Sequence, residues 1–67
     1  MTIYLNDKAI ETLKDTNLLT FLKENGLADK GGIAIAINNT VISKPDWKTK
    51  TLNNNDQLTL ITATAGG

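Results

Sequence analysis

Only one stretch of this chain carries the spacing of a helix. In "DTNLLTFLKENGL", Leu18, Leu19 and Leu22 recur three and four residues apart, and Phe21 widens the apolar stripe. A single helix has one stripe to bury, and a sheet has one face to receive it. The constraint is severe because the chain has 67 residues and no cysteine or histidine, so neither a disulfide nor a structural zinc can staple it. Ordering that many residues costs on the order of 100 kcal/mol, and packing of one helix on one sheet has to offset it.

The segments around the helix read as strands and turns. "TIYLNDKAIETL" predicts a hairpin: Ile3 and Leu5 alternate with Thr2 and Tyr4, and Asn6-Asp7 are turn residues that tolerate the left-handed region. The second strand is expected from about Lys8 to Leu13. Thr16 or Asn17 can cap the helix, predicted over residues 18–25. Gly26 suits the position just past its end, with Leu27 closing back on Leu22.

Gly31-Gly32 then release the chain into a third strand, Ile33 to Ile37. Asn38-Asn39 is a turn signal and Val41-Ile42 begin a short fourth strand, which Pro45 stops or confines to an edge. Trp47, the one tryptophan, reads as a lid over the small core. In the last strand Leu58 and Leu60 point one way, Thr59 and Ile61 the other, and Asn55 is a candidate left-handed residue before it. The order β-β-α-β-β-β predicts an α+β fold, a β-grasp (ubiquitin-like) arrangement with a mixed four- to five-stranded sheet packed on one helix. In that arrangement the first and last strands lie side by side, and Ile3, Leu5, Leu58 and Leu60 suit the shared core.

Composition removes most chemistry. Without histidine or cysteine there is no Ser-His-Asp or Cys-His nucleophile, no thiol redox couple and no ordinary transition-metal site. All seven positive charges are lysines, which removes arginine clamps on phosphate. Seven acids balance them, and neither sign forms a run, so the basic footprint that binds nucleic acid or an anionic membrane is missing. The chain is expected to be a protein without enzymatic activity of its own, with no metal, no bound cofactor, no signal peptide and no membrane span. Cytoplasmic location follows as the default, and a monomer is expected when it is free.

The end of the sequence, Ile61-Thr62-Ala63-Thr64-Ala65-Gly66-Gly67, allows two readings. It is either a terminus that frays or a terminus that is the working part. Residues 62–67 are expected to form a flexible tail on a single domain spanning 1–67. Six residues span up to ~20 Å when extended, enough to enter another protein's active site. Gly66 and Gly67 lack Cβ and, with Ala65 and Ala63, keep the tail thin enough for a narrow channel. On the sheet face away from the helix, Thr59, Ile61 and Tyr4 are the candidate partner-binding residues. Ile61 reads equally well as an ordinary surface strand residue.

These features together resemble the ThiS family, the sulfur carrier proteins of thiamine biosynthesis, over essentially the whole length. The resemblance rests on the "ND" turn, the capped leucine-rich helix, "IAIN" at Ile35 to Asn38, Trp47, "NDQL" at Asn55 to Leu58, and Gly66-Gly67. It implies that an ATP-consuming adenylyltransferase of the ubiquitin-activating type (ThiF type) activates the carboxylate of Gly67. Sulfur from a cysteine-derived persulfide donor then leaves a terminal thiocarboxylate, which thiazole synthase (ThiG type) uses for its ring. Two departures stand out: family members commonly carry Val-Pro-Arg ahead of the tryptophan where this chain has Ser43-Lys44-Pro45-Asp46, and Asn55 sits where glycine is usual.

Three other readings share the fold. The small subunit of molybdopterin synthase uses the same thiocarboxylate logic but usually has a proline near its glycines. A ubiquitin-like modifier would be joined to lysines. A non-covalent β-grasp binding module would need the fold but not Gly66-Gly67.

Overall fold

Among the described residues, six non-glycine positions with left-handed backbone mark where this chain reverses. The computed structural model describes residues 1–62. Strands β1 (Thr2–Leu5) and β2 (Lys8–Glu11) are joined by Asn6 and Asp7, at φ 48° and 69°. Two consecutive left-handed residues form the turn whose twist matches that of a hairpin. Strands β3 (Ile33–Ile37) and β4 (Thr40–Ile42) are joined in the same way by Asn38 and Asn39, at φ 49° and 73°. Asn55, at φ 70°, precedes β5 (Gln57–Thr62), as its sequence position suggests.

Helix α1 spans Leu18–Glu24. Of the two candidate caps, Asn17 does the work: its Oδ1 accepts the Thr20 N–H at 2.8 Å. Thr16 is buried, and its hydroxyl donates to the Leu13 carbonyl instead. At the other end Gly26 has φ 71°, its N–H reaches the Lys23 carbonyl at 3.1 Å, and the Leu27 N–H reaches the Leu22 carbonyl at 2.8 Å. That pair of bonds is the Schellman closure expected from the sequence. The helix stops one residue short of the predicted Asn25, because Asn25 caps it and its Nδ2 donates to the Phe21 carbonyl.

The second strand is also shorter than predicted. It ends at Glu11 rather than Leu13. Thr12 still exchanges bonds with Met1, but Asp15 takes a left-handed φ of 66° and Thr16 bonds back to Leu13. The chain therefore turns toward the helix, and Leu13 is left 76% exposed.

One five-stranded sheet has the order β2-β1-β5-β3-β4. Strands β1 and β5 are parallel, and the other pairs are antiparallel. This is the β-grasp arrangement, with β5 in the middle of the sheet. The helix lays Leu18, Phe21 and Leu22 onto Ile3, Ile35 and Leu58, all fully or almost fully buried. Leu5 and Leu60 are partly buried against that cluster. Each large aliphatic or aromatic side chain buried there contributes about 1.5–3 kcal/mol relative to exposure. Trp47 closes the side: it is buried, and its Nε1 donates to the Ile42 carbonyl at 3.0 Å from just after a 3₁₀ turn, Lys44–Asp46.

Candidate functional site at the end of the last strand

Strand β5 alternates as its sequence requires. Leu58 and Leu60 face the helix, while Thr59 and Ile61 stand on the open face. The register places Thr59 opposite Ala36, which in turn faces Val41 on β4. Ile61 lies opposite Ala34 one step along. Val41 and Ile61 are 63% and 47% exposed, so these four strand positions and Thr59 form an uncharged, partly apolar patch on the sheet. Small alanines beneath keep it flat.

Tyr4 shares the open face but not this patch. It pairs with Gln57, four residues before Ile61, which puts it ~13 Å away along the strand. Thr59 and Ile61 are thus brought together at the C-terminal end of β5, and Tyr4 stands at the other end. Val41 is the patch residue that sequence reasoning missed. Its signal was available, since a β-branched residue next to the inward Ile42 must point outward in a strand.

Gly67, Gly66 and Ala65, the residues expected to carry the chemistry and to thread a channel, lie outside the described residues. Thr62, which the sequence alone places with the tail, belongs to β5 and is paired with Ile33. Among the described residues no group of three or more histidines, cysteines and acids is placed to hold a metal ion. Open grooves of about 420 and 440 Å³ lie away from β5 among the described residues. One runs between the end of β2 and the helix C-terminus, and the other lies beside Met1 and Asn54. Among the described residues no helix is long and apolar enough to cross a membrane.

The model of the ThiS family matches residues 3–67. The chain belongs to the ThiS family. Its fold is similar to the crystal structure of the thiamine biosynthesis protein ThiS from Geobacter metallireducens, with a TM-score of 0.86, 17% identity and both chains covered in full. It is also similar to the NMR solution structure of a thiamine biosynthesis protein from the same organism, with a TM-score of 0.76 and 17% identity, covering all of this chain and 88% of that one. Identity that low establishes the shared fold alone. No curated protein matches the chain by sequence.

Family membership supports a sulfur carrier of thiamine biosynthesis working with partner enzymes in sulfur transfer, a type of small protein that is not itself an enzyme. In this ThiS-family chain the departure before the tryptophan has a definite structure. Pro45 is the second residue of the 3₁₀ turn, and the Lys44 ammonium lies 5.9 Å from the centre of the Trp47 ring. Lysine there makes a cation–π contact as a point charge, without the planar fork of an arginine.

Proposed function

We propose that this chain is the sulfur carrier for thiazole formation and that the carboxylate of Gly67 is the group loaded. A main-chain carboxylate has a pKa of about 3.3–3.7 and is ionised near neutrality, which makes it a poor electrophile. A carboxylate oxygen attacks the α-phosphorus of ATP on a partner adenylyltransferase, and pyrophosphate leaves. The terminal sulfur of a persulfide then attacks the acyl carbon, and AMP leaves. A thiol cleaves the resulting disulfide and frees the thiocarboxylate, whose sulfur passes to thiazole synthase. None of these steps needs a side chain of this protein, in keeping with a sequence that lacks His, Cys and Arg.

The observation that carries this reading is the ThiS-family match over residues 3–67, on a β-grasp whose last strand occupies the centre of the sheet. From Thr62, five further residues can span up to ~16 Å, so that end of the sheet is where a partner meets both the body and the tail. Ile61, Thr59 and Val41 would form the near part of the docking surface and Tyr4 its far edge. Residues 1–62 would act as the body and 63–67 as the leash.

Complementation tests it. In a thiamine auxotroph lacking its own carrier, the wild-type chain restores growth without added thiamine. A chain trimmed of Gly66-Gly67, and one extended by a single alanine and shown by mass to stay extended, do not. Growth supported by the trimmed chain would overturn the reading and leave a plain binding module.

A further inference from the structure

The "ND" turn contains more than a turn. In a parallel ladder each residue of β1 that bonds β5 gives its N–H to one residue and its carbonyl to another two places on. Tyr4 N–H reaches the Asp56 carbonyl at 2.9 Å, and Asn6 N–H reaches the Leu58 carbonyl at 2.9 Å. The next bond should run from the Leu60 N–H to the main-chain carbonyl of Asn6. At that point, however, the backbone of Asn6 has turned into the left-handed region, at φ 48°. The Leu60 N–H instead meets the side-chain Oδ1 of Asn6 at 2.9 Å. A side chain has taken the place of the missing strand.

Strand pairing between β1 and β5 covers only Tyr4–Gln57 and Leu5–Leu58. Among the described residues, the Asn6 side chain therefore makes the last bond on that side of β5, two residues before Thr62. On the other side, β3 continues to pair as far as Ile33–Thr62. The root of the tail is held by β3 along its whole length and by Asn6 at one point.

We propose that Asn6 is a positioning residue for the carrier reaction, fixing through its Oδ1 the place where the tail leaves the sheet. This deepens the carrier reading and rests on it. Strand ends open locally at little cost, so one bond decides how far β5 stays paired. Each residue released from β5 must be ordered again when a partner draws the tail in, which weakens docking without touching the chemical step.

Asn6→Gly and Asn6→Asp separate this role from that of the turn. Both tolerate the left-handed backbone, so both keep the hairpin. Asn6→Asp keeps an acceptor oxygen and Asn6→Gly removes it. Hydrogen exchange and steady-state adenylation with the cognate adenylyltransferase are the readouts. In Asn6→Gly the Leu60 amide exchanges about fivefold faster and the melting temperature falls by roughly 5 °C, as loss of one net hydrogen bond implies, while KM for the carrier rises and kcat stays near wild type. Asn6→Asp behaves as wild type.

Wild-type exchange and KM in Asn6→Gly, or equal damage in both variants, would overturn the proposal. Absence of any adenylation of the wild-type chain would instead sink the carrier reading, and exchange at Leu60 would still decide the role of Asn6 in holding β5.

Discussion

Asn38 and Asp56 are bonded side chain to side chain at the start of the last strand. Asn38 Nδ2 donates to Asp56 Oδ1 at 3.1 Å, and Asn38 Oδ1 accepts the Gln57 N–H at 3.0 Å. The second carboxylate oxygen, Asp56 Oδ2, accepts the Asn53 N–H at 2.8 Å. Asp56 is 7% exposed and all its polar atoms are used. The turn of β3 into β4 and the loop into β5 are thus tied together where β5 enters the sheet.

Removing the carboxylate leaves two donors without partners. Asp56→Ala should cost about 2 kcal/mol and lower the melting temperature by roughly 10 °C in a domain of this size. Asp56→Asn keeps one acceptor and should lose about half as much. Thermal unfolding followed by circular dichroism checks both, and equal losses would show that the acceptor retained in Asp56→Asn contributes nothing.

Asn55 carries a left-handed φ of 70°, and its N–H bonds to the Thr2 carbonyl at 2.7 Å. Asn55→Ala should destabilise by about 1 kcal/mol, the cost of placing a Cβ without a local hydrogen-bonding group in that region. Asn55→Gly should stay within about 0.5 kcal/mol of wild type. Urea titration distinguishes them.

Trp47 is 2% exposed, and besides its own bond to Ile42 its carbonyl accepts the Leu19 N–H at 3.0 Å. Trp47→Ala should remove about 3–5 kcal/mol, comparable to the whole stability of a core this small. Its far-ultraviolet spectrum at 25 °C should be that of a largely unfolded chain. Trp47→Phe should remain folded with a lower unfolding midpoint.

Ile61 and Val41 stand exposed on the open face, outside the cluster packed under the helix. Ile61→Asp and Val41→Thr should leave a folded chain but weaken its complex with the adenylyltransferase, Ile61→Asp by about tenfold or more. Titration calorimetry measures this. Tyr4→Ala, at the far end of the face, should have the smaller effect, and a larger loss at Tyr4 than at Ile61 would move the docking surface toward β2.

The helix, its closure and the three asparagine turns were legible because their signals are local. A period of three and four, a glycine one place past the helix cap and paired Asn or Asp residues each report on neighbouring backbone only. Strand ends were less legible. Leu13 leaves the sheet because of Asp15 and Thr16, residues whose side-chain bonds no alternation pattern records. Long-range side-chain bonds were invisible: Asn6 bonds Leu60, and Asp56 bonds Asn38, and nothing in the composition of either segment announces the other. The outward pair Thr59 and Ile61 was readable from β5 alone, whereas joining Val41 to it required the register of three strands.

The central claim is that Gly67 is the loaded atom's residue, and intact mass tests it most directly. The chain is incubated with ATP, the cognate adenylyltransferase, a persulfide donor and a thiol, then weighed whole and as fragments. The account predicts a gain equal to one sulfur in exchange for one oxygen, confined to the fragment ending in Gly67 and dependent on ATP. An unchanged mass under conditions that load a known carrier, or the same gain elsewhere in the chain, would contradict it.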